Sequence, residues 1–463
     1  MRLQLITAED PLTLSARGRE LIRFPQLTMP LLAALTPANW TVTHTDEITH
    51  SVDVTQACDL VGLTAATPGA PHAYELAAAF HARGVKVAMG GPHATLLPYE
   101  AAAHVDVVVV GEAETQWARV LSDLENGVSY PLGRHLLDAG TQASVEVLPS
   151  GARIYRCPTP ASLAGLPTAR RDLIHSGGWN RWWATRGAII ATRGCPHACD
   201  YCCIPVIYPQ SRHMRFRPVE EVIAEIAAIP DKGIVLWDDN LGANPRYARA
   251  FLKALAPLCK WWTSQTTQAS LRDDEFLRLA ADSGCQALFV GFESVSQASL
   301  DGAGKSHNHV DQYKALLARC HAHGIALQAG IMFGFDQDDR DVFERTVEVF
   351  GEAGLDNATI SLCVPYPGTP FYDQLAAEER LIDPDWRHYN GKTHVVYRPK
   401  MMTPDQLLAG YEWAKTKFYS PGHIYRRLAR SRTGLWWNIP RNLGYSFGLT
   451  GEVRARAALH EKP

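Results

Sequence analysis

The chain has 463 residues, more than one ordinary domain buries, with 46% apolar and 20% charged residues and a formal net charge of -3. That balance suits a globular protein with a large core and excludes the broad positive charge used to track nucleic acid. No apolar run reaches the roughly 18 residues of a membrane-spanning helix, and "MRLQLITAED" turns polar too soon for a secretory leader. A cytoplasmic protein is expected, whose ten cysteines are free thiols or metal ligands rather than disulfides.

In chain order, "RLQLIT" reads as a strand and "PQLTMPLLAALTP" as a helix stopped by Pro37. Further strands are expected at "TVTHTDE", "DLVGLTAAT", "VKVAMGG" and "VDVVVVGE", with "AYELAAAFHARG" as a helix between the second and third. Val-rich runs with little alternation point to strands buried on both faces, hence a parallel sheet. Residues 1–130 therefore read as a doubly wound, Rossmann-like α/β domain, whose ligands belong beyond the carboxyl ends of the strands. Those ends carry Thr64 to Thr67, Gly90 and Gly91 in "GGPH", and Gly111 and Glu112 in "GEAE". Paired glycines there either let a backbone approach a bulky ligand or simply form a tight turn.

Residues 131–184 read as a linker ending in "GGWNRWWATRG". Trp179, Trp182 and Trp183 either seal a domain interface or line a channel. From 185 to 380 the βα alternation resumes. Strands are expected at "GAIIATR", "GIVLWDDN", "WWTSQTTQ", "ALFVGFE", "IALQAGIMFGF" and "ATISLCV", and helices at stretches such as "PVEEVIAEIAAI" and "DDRDVFERTVEVFGEAG". Six βα units make a partial (β/α)6 barrel with its chemistry at the C-terminal strand ends. Residues 381–463 read as a mainly helical C-terminal domain. Its end mixes arginine with aromatics in "RRLARSRTGLWWNIPRNLGYSFG", which suits either a membrane-surface segment or a basic helix packed on the barrel.

The densest signal is "TRGCPHACDYCCIP", Thr192 to Pro205, just after the first barrel strand. Three thiolates spaced C-x3-C-x2-C at Cys195, Cys199 and Cys202 can converge on one metal site. Zinc would need a fourth ligand and usually a second knuckle; His197 is the nearby candidate, and Cys58, Cys157, Cys259, Cys285, Cys320 and Cys363 are scattered. A [4Fe–4S] cluster with three cysteine ligands leaves one iron open to a small molecule.

With Tyr201 before the last cysteine and a barrel strand in front, this stretch resembles the signature of the radical S-adenosylmethionine (SAM) superfamily. The resemblance implies a [4Fe–4S] cluster on Cys195, Cys199 and Cys202, and SAM chelated to the open iron. It also implies a reductant such as flavodoxin or ferredoxin, whose electron cleaves SAM to methionine and a 5′-deoxyadenosyl radical. Cys203 is then expected as a small packed residue. "WDDN" resembles the motif that holds the methionyl amino group, which leaves open which of Asp238, Asp239 and Asn240 makes the contact; a solvated strand end is the plain alternative. Glu293 and Ser294 in "GFES" resemble the ribose segment, against a merely buried, hydrogen-bonded Glu. "GIMFGF" resembles the strand that flanks adenine, and "PYPGTP" is typical of subfamilies with an N-terminal corrinoid domain.

"GGPHATLLPYEAA" and "VDVVVVGEAE" make residues 1–130 similar to the cobalamin-binding domain of class B, cobalamin-dependent radical SAM enzymes. Thr64 and Thr67 would face the lower side of the corrin, and Gly90, Gly91, Gly111 and Glu112 would receive its nucleotide tail. One departure is that "ITAEDPLTLSARG" lacks the histidine of Asp-x-His-x-x-Gly, which implies base-off cobalamin without a histidine on cobalt.

The resemblance spans nearly the whole chain and runs to the subgroup containing the hopanoid C-2 methylases. It implies a C-methyltransferase acting on an unactivated carbon of a small molecule or lipid, and the membrane-surface alternative for the tail would add peripheral contact at the inner membrane face. A ring-forming or rearranging enzyme with the same cofactors and a non-catalytic corrinoid or iron–sulfur carrier are the alternatives. A methylthiotransferase acting on tRNA would need a second three-cysteine set, and only Cys58 and Cys157 precede Cys195.

Overall fold

The computed structural model describes residues 1–15, 25–174, 187–208, 212–431 and 433–446. Trp179, Trp182 and Trp183 lie outside the described residues.

The first sheet has eight strands: β1 (Arg2–Ala8), β2 (Thr41–Asp46), β3 (Leu60–Ala65), β4 (Lys86–Gly90), β5 (Val107–Val110), β6 (Gly133–Asp138), β7 (Ala143–Val147) and β8 (Arg153–Arg156). Their spatial order is β2-β1-β3-β4-β5-β8-β7-β6. Neighbours among β1 to β5 are parallel. β3 is buried at every position, as a strand covered on both faces must be, and helix Ala70–His81 is among the elements that cover it.

Within residues 131–184, expected as a linker, the part from 133 to 156 instead belongs to this sheet. β6, β7 and β8 extend it, β8 parallel to β5 and antiparallel to β7, which is antiparallel to β6. Their alternating, half-exposed pattern in "GRHLLD" and "ASVEV" is that of an edge with one wet face.

The second half is the six-stranded parallel sheet of the expected partial barrel. Its strands are β9 (Gly187–Ile189), β12 (Gly233–Leu236), β13 (Trp261–Thr266), β14 (Cys285–Glu293), β15 (Ala326–Phe333) and β16 (Asn357–Leu362). Among the described residues β9 and β16 are its unpaired edges. "GAIIATR" is not one strand. It breaks after β9 into β10 (Thr192–Arg193), which leaves the barrel to pair antiparallel with β11 (Arg215–Phe216).

The tail is less separate than expected. Tyr397, Leu407, Tyr411, Phe418 and Tyr419 belong to the barrel's own hydrophobic core. Helix Pro404–Phe418 opens on a Thr403–Gln406 capping box. In the basic helix Pro421–Ser431, Arg427 is fully buried and donates to the carbonyls of Leu355, Asp356 and Phe418 and to Asn442 Oδ1. The packed reading therefore holds for that arginine.

Candidate active site

The cysteine loop is fastened at its start residue by residue. Thr192 N donates to Asp238 Oδ1, Gly194 N to Asp239 Oδ2 at 2.8 Å, and the Asn240 side-chain amide reaches Cys195 Sγ at 3.9 Å. The three polar side chains at the end of β12 thus form a seat for the loop. Asp238 is fully buried, and that burial pushes its carboxyl up to about 7. Asp239 is half-buried; burial raises its carboxyl too, against the pull of the Gly194 amide and of Arg193 and Arg215. Asn240 is buried and also meets Thr266 Oγ1 at 3.5 Å.

Further along, Asp200 N donates to the Ala303 carbonyl at 3.1 Å, Cys202 N to the Cys199 carbonyl at 3.0 Å, and Phe371 N to the Asp200 carbonyl at 3.0 Å. Cys199 is buried, and Cys195 and Cys202 are half-buried. Burial raises all three thiols, Cys202 to about 12, and the proximity of Cys203, and then of Cys199 and Cys195, adds to the rise at Cys202. Among the described residues no three His, Cys, Asp or Glu side chains group around a single ion; a four-iron cube takes its thiolates at separate corners. His197, the possible fourth zinc ligand, stacks face to face on His307 at 3.7 Å. Cys203, expected to be packed, is instead half-buried, with Asp239 and Tyr366 close enough to interact electrostatically.

Glu293 closes β14 in a left-handed conformation, φ 66°, where the register with β15 shifts. Its Oε1 accepts from Lys305 Nζ at 2.7 Å, and the same ammonium reaches the Tyr201 hydroxyl at 3.1 Å. Burial opposes the Lys305 charge, but Glu293 and the thiols of Cys199 and Cys202 outweigh it and raise its pKa. Lys305 is a residue that sequence reasoning missed. It follows a short helix with no periodicity to mark it. Ser294 is buried, with Oγ capping the turn at Ser296 N, 3.1 Å. Phe335, at the end of "GIMFGF", meets Tyr201 edge to face at 5.6 Å.

On the first domain, Gly91 adopts φ 86°, and a Cβ there would lie 2.1 Å from Thr64 Oγ1. Only bare backbone fits between the ends of β3 and β4, so Gly91 makes a tight turn against Thr64 at the strand ends where a ligand of this fold would lie. Gly90 and Gly111 are half-buried beside it, and Gly111 N donates to Thr95 Oγ1 at 2.9 Å. Thr64 is 9% exposed and Thr67 only 2%, so Thr64 is the more accessible of the pair. Asp10 accepts from Leu12 N and Thr13 N, capping the short helix after β1.

Glu112 departs from expectation. Its carboxylate is buried and taken up by Arg193 Nη1 at 2.7 Å, Arg215 Nη1 at 2.7 Å and Ala161 N at 2.8 Å. Burial works against its charge, but the two guanidiniums hold its pKa below the usual carboxylate range. With its lone pairs occupied, it is not free to receive a nucleotide tail.

Residues 189–349 match the Radical SAM superfamily, residues 31–121 the B12 binding domain, and residues 369–442 a domain of unknown function, DUF4070. The chain is 27% identical to the bacteriochlorophyllide d C-12(1)-methyltransferase of Chlorobaculum tepidum, covering 89% of this chain and 86% of that one. It is 23% identical to the hopanoid C-2 methylase of Rhodopseudomonas palustris, covering 87% and 72%. Among solved structures it resembles the cobalamin-dependent SAM radical enzyme OxsB with aqua-cobalamin and SAM bound, with a TM-score of 0.69 at 14% identity over 96% of this chain and 71% of that one. The two matched domains, in the order in which the two sheets follow one another, identify the chain as a radical SAM enzyme with an N-terminal B12-binding domain.

Proposed function

We propose that the chain is a cobalamin-dependent C-methyltransferase acting on an unactivated carbon of a polycyclic, largely apolar small molecule, hopanoid-like or macrocyclic. The observation that carries this reading is the contact between the two halves. Helix Pro92–Leu96, which leaves the Gly90–Gly91 turn, packs on helix Ile204–Ile207, which leaves the cysteine loop. That contact supports two neighbouring cofactor sites, which methyl group and radical need if they are to meet on one carbon.

When bound, the cluster supplies the electron that cleaves SAM, and cobalamin carries the methyl group. The chain's own residues hold and shield. Cys195, Cys199 and Cys202 hold the cluster. Asp239, the half-buried one of the three polar side chains after β12, would stand at the SAM ammonium, with the buried Asp238 and Asn240 behind it, and Lys305 would supply a cation for the SAM carboxylate beside Glu293. Tyr201 and Phe335 form an aromatic wall that keeps water out. Thr64, Gly90, Gly91 and Gly111 receive the corrinoid. A reductant such as flavodoxin or ferredoxin would supply the electron.

The tail gives a peripheral membrane contact. Tyr425, Leu435, Trp436, Ile439 and Leu443 are exposed in a segment that carries Arg426, Arg430 and Arg441. Among the described residues no helix is long and apolar enough to cross a membrane. Co-sedimentation with anionic vesicles should fall on Trp436→Ala; an unchanged bound fraction would remove the contact.

The reaction is tested with SAM labelled in its methyl group, strong reductant and candidate polycyclic substrates. One S-adenosylhomocysteine and one 5′-deoxyadenosine should appear per turnover, with the label on a substrate carbon. A substrate consumed with 5′-deoxyadenosine released but no label gained would replace methyl transfer with ring formation.

A further inference from the structure

The strand pair that brackets the cysteine loop carries an unfavourable juxtaposition. β10 and β11 stand at the two mouths of the stretch that holds Cys195, Cys199 and Cys202, and Arg193 lies directly opposite Arg215. Like charges facing each other across an antiparallel pair repel, and both side chains are largely buried. Relief comes from the other domain. Glu112, two residues beyond β5, ion-pairs with both guanidiniums, and Glu114 takes Arg193 Nη2 at 2.8 Å. Arg215 also donates to the Ala161 carbonyl at 2.8 Å, and Ala161 N donates back to Glu112. One carboxylate thus grips the entry and the exit of the cluster loop and the segment that follows β8. Neighbouring Gly111 is among the strand-end residues proposed above to receive the corrinoid.

We infer that Glu112 is a positioning residue that closes the mouth of the cluster loop only when the B12-binding domain is docked, and thereby sets how the SAM site faces the corrinoid. The charge arrangement carries this. Two buried arginines opposite each other make a frustrated ribbon alone and a satisfied one with Glu112 and Glu114 in place. The inference rests on the methyltransferase reading above, through the balance of the two fates of SAM: methyl transfer to reduced cobalamin, giving S-adenosylhomocysteine, and reductive cleavage, giving 5′-deoxyadenosine.

The test compares wild type, Glu112→Gln and the double variant Glu112→Gln/Arg215→Gln, which removes one charge of each sign and keeps the joint neutral. Hydrogen exchange is followed on the cofactor-free full-length chain, and both SAM products are counted on reconstituted enzyme with reductant and no substrate. The double variant should keep wild-type circular dichroism and iron content. In Glu112→Gln, which leaves the two arginines facing each other, the amides in residues 194–208 should exchange at least about tenfold faster with the barrel helices unchanged, the ratio of S-adenosylhomocysteine to 5′-deoxyadenosine should fall by a similar factor, and the double variant, without the facing charge, should recover most of both. Where Glu112→Gln does not fold, Glu112→Asp, too short to span both arginines, is read the same way. Exchange unchanged, or raised equally throughout the chain, overturns the inference, as does an unchanged product ratio. Wild type that makes no S-adenosylhomocysteine sinks the methyltransferase reading and leaves the exchange result to decide on the clamp.

Discussion

Cys202 and Cys203 are adjacent, half-buried thiols, and their surroundings separate them. Cys202 has the thiols of Cys199 and Cys195 as neighbours, whereas Cys203 begins helix Ile204–Ile207 and lies near Asp239 and Tyr366. Cys195→Ala, Cys199→Ala or Cys202→Ala should each abolish the [4Fe–4S] absorbance and 5′-deoxyadenosine formation in anaerobic preparations, and Cys203→Ala should retain both. Iron analysis checks this, and loss of iron in the Cys203 variant would reassign the ligands. Asp238 makes a prediction of the opposite kind, about pH. Its folded carboxyl titrates near 7 against an ordinary 3.8, so between those values the unfolded chain is ionised while the folded one holds its proton. Stability from this group is therefore present at acid pH and lost as pH rises toward 7, at about 1.4 kcal/mol per unit. Asp238→Asn, which keeps an acceptor for Thr192 N, should gain about 2 kcal/mol on wild type between pH 5.5 and 7.5. Urea unfolding of cofactor-free protein at the two pH values measures it, and a pH-independent difference would contradict the buried ionisation. The cysteines were legible from sequence because a cluster demands a fixed local spacing. Lys305 was not, because its meaning lies in Glu293 and Tyr201, which come from separate parts of the chain.

The parallel strands of both sheets were legible for a related reason. A strand covered on two faces must be apolar throughout, as "LVGLTA" and "GIVL" are, and its crossover helix shows a 3.6 period. β6 to β8 were missed because an edge with one wet face needs no apolar run; "GRHLLD" is as polar as a loop. β10 and β11 are only two residues each, and their pairing is visible only once Glu112 is seen beneath them. At the end of β4, Gly91 is where an element ends on a demand of backbone conformation. Its φ of 86° and ψ of -169° lie in a region essentially reserved for glycine, and the Thr64 hydroxyl leaves no room for a methyl. Gly91→Ala should destabilise the first domain by about 2 kcal/mol or more and weaken corrinoid binding. Adding Thr64→Ala should return part of the stability, because it removes the collision and not the strain. Equilibrium unfolding and corrinoid titration followed by absorbance measure the two effects. Full recovery in the double variant would mean that contact, not conformation, selects glycine here.

At the scale of the whole molecule, the chain returns to its beginning. After the last barrel strand, Trp386 lies 286 positions from Glu100, and its indole N–H donates to Glu100 Oε2 at 3.0 Å. Glu100 also accepts from Tyr74 at 3.2 Å and meets His93 Nε2 at 3.2 Å, and Trp386 packs edge to face against His93 at 5.9 Å and Tyr389 at 4.8 Å. His93 follows Gly90 and Gly91, so the segment after the barrel braces the turn at the end of β4 while its neighbours, Tyr389 and Tyr397, are set in the barrel core. That tie makes the two sheets interdependent in a way that neither core alone would. Trp386→Phe keeps a ring against His93 and gives up one hydrogen bond, a cost of about 1 kcal/mol. Trp386→Ala gives up both, and for a half-buried tryptophan the loss should be about 2–3 kcal/mol. The location of the effect matters more than its size. Because the indole contacts the first domain, Trp386→Ala should speed hydrogen exchange in Pro92–Leu96 and Pro98–Ala101 by more than in helix Pro404–Phe418, although the tail helix is far nearer in sequence. Exchange that rises only in the tail would show that Trp386 supports its own segment and that the two halves are held together by other contacts, such as those around Glu112 and between helices Pro92–Leu96 and Ile204–Ile207.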